Sequence, residues 1–242
     1  MGPWLLAVES ATAIGSVALM RGRDCVASRR GDPGRAAAET LLPGIEVLLE
    51  EAALRVADLD AYAVSIGPGS FTSLRIGLAT VKGLAFGSDR PAVAVPTLAV
   101  LAASAPRGEG LKVPMLDARR GEVYAAAYGA DVSTPDPCLP LGVYGPEALA
   151  AALPPRCRLL GEGAAVCGSA LREALGEDVM LLPELAPRAE CLGALGVAAL
   201  ERGEGVDPAQ LAPWYLRRAQ AEVVRTGEAW EAPPGSDPRG GG

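Results

Sequence analysis

The sequence contains no histidine in its 242 residues. Without imidazole, the chain alone cannot build a Ser-His-Asp triad, a Cys-His dyad or a histidine-ligated zinc site. Aromatic residues are also scarce, at 4%, although 50% of the residues are hydrophobic. We therefore expect an aliphatic core, made of Ala, Val, Leu and Ile, in a protein whose chemistry does not depend on histidine.

Cysteine occurs five times, an odd number, and no two cysteines form a C-x-x-C pair. This usage predicts buried, reduced thiols in a cytoplasmic protein rather than a disulfide framework. The cysteines are Cys25, Cys138, Cys157, Cys167 and Cys191.

Long hydrophobic runs are absent as well. The longest stretch without a charged residue, residues 91–106, is interrupted by proline and is too short to cross a bilayer. The N-terminus lacks a basic segment, and Glu9 interrupts its apolar run, so we expect no signal peptide.

Basic residues are in deficit, because 22 Lys+Arg face 29 Asp+Glu and the net charge is −7. Binding to phosphates of nucleic acid needs clustered positive charge, so we do not expect this chain to bind nucleic acid by itself. One short cluster departs from this balance, at Arg217, Arg218 and Arg225.

Apolar runs and helical stripes predict an α/β protein in which strands and helices alternate. The first half begins with hairpin strands and continues with a helix whose apolar stripe runs from Leu41 to Ala53. A buried strand then ends at Ile66, and a second helix extends to about Phe86. Pro43 is compatible with the first helix if it lies in the first turn, where its missing N–H has no partner to lose.

The same order of elements begins again after a linker at residues 107–110, although the residues of the two halves are not alike. A third helix, expected to be capped by Thr97, precedes this linker. In the second half a hairpin is followed by a proline-rich loop at residues 135–140, which leads to a helix over 146–153.

The repeated order predicts two lobes. The N-terminal lobe is expected over residues 1–106, completed by part of 190–220, and the C-terminal lobe over 107–189. Residues 226–242 are rich in Gly, Pro and charge, which predicts a disordered tail.

The segment from Gly67 to Thr72 joins a strand to a helix. Such a turn directs several backbone N–H groups toward one point, where a phosphate or carboxylate can bind. Alternatively, Gly67 and Gly69 only permit a tight turn, with Ser70 or Thr72 as the helix cap. The spacing matches neither the P-loop nor the dinucleotide-binding motif.

Three further groups have both a functional and a structural interpretation. Glu9 and Thr12, after the first strand, suit either a metal–phosphate corner or a turn stabilised by its own carboxylate. Gly161 and Gly163 form either an adenosine-side loop or a plain tight turn. Asp117 is either a cleft carboxylate or part of a turn salt bridge.

The second helix carries small residues four apart, at Ser73 and Gly77 and again at Ala79, Gly83 and Gly87. A glycine inside a helix costs roughly 0.5–1 kcal/mol relative to alanine. Close approach of a second backbone offsets such a cost, and that backbone belongs either to this chain or to another subunit.

The residues from Gly67 to Gly87, with the opening Leu6–Thr12 segment, resemble the signature of the TsaB (YeaZ) family. Further similar segments follow in order, at residues 95–98, 116–124 and 213–217. The resemblance covers about residues 4–220 and is thin from about 130 to 205. Glu9 stands where the family usually has Asp.

The resemblance implies an α/β, actin/Hsp70-like (ASKHA) two-lobed fold, each lobe a mixed sheet flanked by helices. It implies a non-catalytic subunit of the complex that makes N6-threonylcarbamoyladenosine next to the anticodon of ANN-decoding tRNAs. The expected partners are TsaD, a paralogue that holds ATP and metal, and TsaE, an ATPase. No cofactor or metal is expected in this chain, and tRNA is expected to bind only through the complex.

The family pairs with TsaD, or with itself when TsaD is absent, through two helices that correspond here to about residues 40–54 and 72–86. The predicted interface residues are Leu41, Leu42, Ile45, Leu48, Leu49, Ser73, Gly77, Ala79, Thr80, Gly83, Phe86 and Gly87.

A competing hypothesis is a free-standing ATP-dependent phospho- or acyltransferase of actin-like fold. It would use Glu9 and the Gly67–Thr72 loop, but a phosphotransferase needs carboxylates that hold Mg²⁺ and only one candidate is visible. The weak nucleotide or phosphate candidates are Glu9, Thr12, Gly67, Gly69, Ser70, Thr72, Gly161 and Gly163. A metallopeptidase is rejected because its histidine ligands are missing.

Overall fold

The first five strands form one mixed sheet in the order β3-β2-β1-β4-β5. The structure is a computed structural model that describes residues 2–129 and 137–216, so the predicted tail and the basic cluster near residue 217 lie outside it. Strands β1, β2 and β3 are antiparallel neighbours, whereas β4 and β5 run parallel to β1. The strands are β1 (Trp4–Glu9), β2 (Ser16–Arg21), β3 (Asp24–Arg30), β4 (Ala61–Gly67) and β5 (Ala92–Pro96).

The next five strands repeat this topology. Their order, read from β8 to β10, is β8-β7-β6-β9-β10, again with two antiparallel and two parallel pairings. The strands are β6 (Leu111–Arg119), β7 (Glu122–Ala127), β8 (Leu139–Tyr144), β9 (Cys157–Leu160) and β10 (Met180–Leu182). The predicted repeat in the order of elements is therefore present as a repeat of topology.

Helices cover the faces of both sheets. The first sheet has α1 and α2 on one face and α3 and α6 on the other, and α5 packs on the second sheet with α4 beside it. The helices are α1 (Ala37–Glu51), α2 (Phe71–Ala85), α3 (Thr97–Ala103), α4 (Pro146–Ala152), α5 (Gly163–Leu175) and α6 (Ala189–Glu201). Two short 3-10 turns span Val56–Asp58 and Pro208–Gln210.

The core is aliphatic, as the composition predicts, and it is continuous between the sheets. Helix α3 is completely buried from Thr97 to Ala102 and packs with Leu116 and Leu160 of the second sheet. Strand β4 is buried at all of its residues, which is typical of a central parallel strand covered on both faces.

These features make the fold the α/β, actin/Hsp70-like architecture that the resemblance implied, with two mixed sheets flanked by helices. Within the described residues, no helix combines the length and the apolar character that a membrane span requires.

Three local predictions were wrong. The predicted loop at residues 135–140 does not extend to residue 140, because strand β8 begins at Leu139 and no strand was predicted there. Its proline and glycine obscure the strand pattern, and its strand state comes from hydrogen bonds to β7. Helix α1 begins at Ala37, so Pro43 lies in the second turn, on the exposed side. Pro96, not Thr97, occupies the N-cap of α3.

The cysteine prediction was correct only in part. Cys157 and Cys167 are buried in the core of the second sheet, and burial raises the pKa of each thiol to about 11. Cys25 and Cys138 are exposed instead. No disulfide joins the five thiols, all of which lie within the described residues.

Candidate functional site

A cleft of about 850 Å³ lies between the two sheets. Its first wall is formed by residues 11–13 and 69–72, the loops that follow β1 and β4. Its second wall is formed by residues 116–120 at the end of β6, by Tyr124 and by the start of α5. Four of the phosphate candidates therefore meet in one cleft, namely Thr12, Gly69, Ser70 and Thr72.

The loop from Gly67 to Thr72 is held by contacts within the chain. Ser70 caps α2, since its Oγ accepts a hydrogen bond from the Ser73 N–H over 3.4 Å. The Ser70 N–H donates to the Ala11 carbonyl over 2.7 Å, and this contact joins the two loops of the first wall.

The two glycines of this loop are explained by close backbone approach. A Cβ on Gly69 would lie 2.4 Å from the Ala11 carbonyl oxygen, and one on Gly67 would lie 2.5 Å from the Trp214 carbonyl oxygen. Gly67 also has a φ of +124°, which side chains rarely adopt. Packing within the chain accounts for both glycines. This agrees with the interpretation of the motif as a tight turn and requires no bound phosphate.

Gly161 and Gly163 have the same explanation. A Cβ on Gly161 would lie 2.8 Å from the Met115 carbonyl oxygen, and one on Gly163 would lie 2.7 Å from the Met115 carbonyl carbon. Both are buried beneath the second wall and do not line the cleft.

Glu9 does not line the cleft, which corrects its prediction as a metal or phosphate candidate and agrees with the alternative of a turn carboxylate. Its side chain is fully buried, and its Oε1 accepts the Ala11 N–H over 2.7 Å. Oε2 has no hydrogen-bond partner among the described residues. Burial raises the pKa of this carboxyl group to about 7, and the hydrogen bond from Ala11 opposes this rise to a smaller extent.

Asp117 satisfies both interpretations that the sequence left open. It lines the cleft, and it forms a salt bridge with Arg119 over 3.2 Å while accepting the Arg119 N–H over 2.7 Å. Arg119 and Arg120 both have positive φ values, 69° and 58°, in the β6–β7 turn at the mouth of the cleft. No group of three or more metal-ligating side chains occurs in the part of the chain that the structure describes.

Helices α1 and α2 form the second candidate site. The predicted interface residues on them differ in solvent exposure. Five of them are buried within this chain and therefore cannot contact a partner: Leu41, Ile45, Leu48, Leu49 and Gly77. They form the core side of each helix, because the apolar stripe of an amphipathic helix faces its own sheet. Two are half-buried, Ser73 and Thr80, and five are exposed, Leu42, Ala79, Gly83, Phe86 and Gly87.

Gly77 and Gly83 have opposite surroundings. A Cβ on Gly77 would lie 2.2 Å from Ser10 Oγ, so this glycine permits α2 to approach β1. A Cβ on Gly83 would have no atom within 4 Å. Nothing in the described chain explains a glycine at the second position.

The sequence interpretation missed an exposed cluster at the start of α2. The Phe71 ring stacks on Tyr215 with centroids 4.6 Å apart, and the Arg75 guanidinium lies 3.8 Å from the Phe71 ring centre. Arg75 Nε donates to the Tyr215 hydroxyl over 2.8 Å. Phe71 and Arg75 could have been found from their spacing, four apart and in line with Ala79 and Gly83. Tyr215 lies in the family-like segment 213–217, but nothing in the sequence indicated that it would contact α2.

Comparison with known families gives one match over most of the chain. A family model described as TsaD, tRNA N6-adenosine threonylcarbamoyltransferase, matches residues 33–224.

Two relatives are similar over nearly their full length. The chain is 30% identical over 246 residues to the Escherichia coli protein named tRNA threonylcarbamoyladenosine biosynthesis protein TsaB, covering 96% of this chain and 99% of that protein. It is 35% identical over 225 residues to an uncharacterized protein of Mycobacterium tuberculosis, covering 91% and 94%.

Two solved structures from Pseudomonas aeruginosa are similar in fold and sequence. One, described as an uncharacterized protein with similarity to peptidase YEAZ, has a TM-score of 0.76 at 35% identity, covering 90% of this chain and 100% of that chain. The other, described as YeaZ, has a TM-score of 0.72 at 33% identity, covering 89% and 100%.

Proposed function

The chain belongs to the TsaB (YeaZ) family, and from that premise we propose that it is the non-catalytic partner subunit of the complex that makes N6-threonylcarbamoyladenosine in tRNA. It takes part in threonylcarbamoyladenosine biosynthesis by binding and activating TsaD, together with TsaE. The modified adenosine lies next to the anticodon of ANN-decoding tRNAs, and tRNA contacts this chain only within the complex. The complex works in the cytoplasm.

The exposed side of α1 and α2 is the surface that we assign to the partner. Leu42 is 48% exposed on α1, and Phe86 is 90% exposed at the end of α2. Ala79 and Gly83 lie between Phe71 and Phe86 along the exposed side of α2. Large exposed apolar side chains beside small ones suit close packing of helices from two subunits.

Gly83 is the single observation that carries this proposal. It lies inside a helix, it is exposed, and no atom of the described chain would contact a Cβ at this position. Its cost to the helix is offset if a partner backbone approaches there. The same surface serves a homodimer when TsaD is absent.

The cleft supports a non-catalytic role. The acidic residue that was the candidate for holding a metal ion, Glu9, is buried away from the cleft, and the Gly67–Thr72 loop is explained by packing. ATP and metal belong to TsaD in this proposal, and this chain itself needs neither.

The test is association with purified TsaD, with and without ATP and TsaE, measured by light scattering after gel filtration. Gly83→Leu should abolish the heterodimer and lower tRNA modification at least ten-fold, because the new side chain fills the space for the partner. Circular dichroism should show an unchanged fold.

Ala170→Leu is the matched control, because it places the same leucine side chain at an exposed position of α5. It should leave association intact. Normal association of Gly83→Leu with TsaD would contradict the interface, and threonylcarbamoyl transfer or ATP turnover by the isolated chain would contradict the non-catalytic role.

A further inference from the structure

We propose that the buried guanidinium of Arg158 is a binding site for a small oxyanion at the start of the second sheet. The proposal is independent of the partner surface described above. Arg158 lies on β9 and is 4% exposed, and Lys112 lies on the adjacent strand β6 and is 7% exposed. The two are paired in register, and paired residues of parallel strands project to the same face of a sheet.

The face is the one that packs against α3. Leu116 and Leu160 follow Lys112 and Arg158 at even spacing on their strands, and both belong to the core that contains α3. Alternation along a strand therefore directs both cationic side chains toward the end of α3 and the linker after it.

Only one of the three guanidinium nitrogens of Arg158 has a hydrogen-bond acceptor among the described residues. Nη1 donates to the Pro106 carbonyl over 2.7 Å. Nε and Nη2 have no acceptor within residues 2–129 and 137–216, although both are buried. A buried guanidinium without an anion is strongly unfavourable, because the desolvation of its charge is not compensated.

The unpartnered atoms define the ligand. Nε and Nη2 form one edge of the planar guanidinium, and this edge binds two oxygens of a carboxylate or phosphate in parallel hydrogen bonds. A small oxyanion with two oxygens in one plane therefore fits Arg158, and the positive charge of Lys112 lies on the adjacent strand.

The loop after α3 contacts the guanidinium of Arg158. Exposed Gly108 lies directly against the guanidinium, since a Cβ on this residue would be 2.9 Å from Nη1. Glu109 of the same loop pairs with Arg156 rather than with Arg158. The loop after α3 therefore contacts Nη1, and its carboxylate at Glu109 does not pair with the edge formed by Nε and Nη2.

The experiment is thermal unfolding of the full chain in increasing inorganic phosphate at constant ionic strength. Binding to the folded state should raise Tm by roughly 3–6 °C at ten times the half-saturating concentration. Parallel titrations with sulfate and acetate separate a tetrahedral anion from a carboxylate, and a rise with any of the three supports the site.

Two variants test the assignment to Arg158. Arg158→Met should lose the rise in Tm, whereas Arg156→Met, which removes an exposed neighbour, should keep it. If Arg158→Met does not fold, Arg158→Lys retains the charge without the two-donor edge and should weaken phosphate binding at least ten-fold by ³¹P NMR titration. An unchanged Tm with all three anions, or an equal rise in Arg158→Met, would overturn the proposal.

Discussion

Glu9 ends β1 at the point where the first wall of the cleft begins. Its carboxyl group has no contact with solvent, and one oxygen positions the loop by accepting the Ala11 N–H. Ala11 in turn accepts the N–H of Ser70, the cap of α2. The buried carboxyl group of Glu9 therefore stabilises both the loop of the cleft and, through Ala11 and Ser70, the start of α2.

We predict that Glu9 makes the stability of the protein depend on pH. Its pKa is about 7 in the folded chain, against an ordinary value of 4.5, so the folded state binds more protons between these values. The free energy of unfolding should therefore fall by about 3 kcal/mol as pH rises through this range and level off above it. Urea unfolding at a series of pH values measures this slope.

Glu9→Gln should remove this slope and be more stable than the natural chain above pH 7, because the amide keeps an acceptor for Ala11 without a buried charge. Glu46→Gln, an exposed carboxylate on α1, is the control and should leave the slope unchanged. An unaltered slope in Glu9→Gln would show that another group titrates.

The sequence left two interpretations of Glu9 open, and the structure agrees with the turn carboxylate rather than with the metal–phosphate corner. An acidic residue after an apolar strand indicates a site at the strand end, and that much was visible. Its burial is decided by α3 and α6, which cover this face of the sheet and come much later in the chain.

Helix α2 has two different sides. Its inner side, with Leu74, Gly77, Leu78 and Val81, is buried against the first sheet. Its outer side carries Phe71, Arg75, Ala79, Gly83 and Phe86, all exposed.

The two interior glycines of α2 should respond oppositely to alanine. Gly77→Ala should destabilise the chain by about 1–3 kcal/mol, because its Cβ would overlap with Ser10 Oγ. Gly83→Ala should stabilise it by about 0.5–1 kcal/mol, because alanine is the better helix former and nothing is displaced. Chemical denaturation of the two variants gives both values.

Ser10→Ala provides the internal control for Gly77. The double variant with Gly77→Ala should recover part of the lost stability, since the hydroxyl that meets the new methyl group is gone. Equal effects at the two glycines would mean that Gly83 has a packing partner within this chain, and the argument for a partner surface would fail.

The bounds of α2 were predictable because they depend on local signals. Ser70 caps the helix, and Gly87 with a φ of +75° follows its end. Strand β8 was not predictable, because its residues include proline and glycine and its strand state comes from pairing with β7.

At the scale of the whole molecule, the two sheets share one core. Leu101 of α3 is completely buried, and Gly161 of the second sheet's turn packs closely against its side chain. Helix α3 contacts β4 and β5 on one side and β6 on the other. We therefore expect the two sheets to unfold together in one transition.

Leu101→Ala should lower the free energy of unfolding by about 2–5 kcal/mol, because it leaves a cavity in this shared core. Hydrogen exchange should show lost protection in β4 and in β6 to a similar extent. Leu171→Ala, in the separate core of the second sheet, is the matched control. Loss of protection in β4 alone after Leu101→Ala would show that the sheets unfold independently.

The sequence alone established the α/β class, the repeated order of elements, the aliphatic core and the absence of histidine chemistry. Each of these follows from composition or from patterns that local geometry imposes, such as the period of an amphipathic helix. Tertiary structure decided which of the predicted residues are accessible: it buried Leu41 and Ile45, withdrew Glu9 from the cleft and left Gly83 exposed. It also placed Arg158 beside Lys112. These facts depend on which distant segments pack together, and burial and close approach are properties of such contacts rather than of any local pattern.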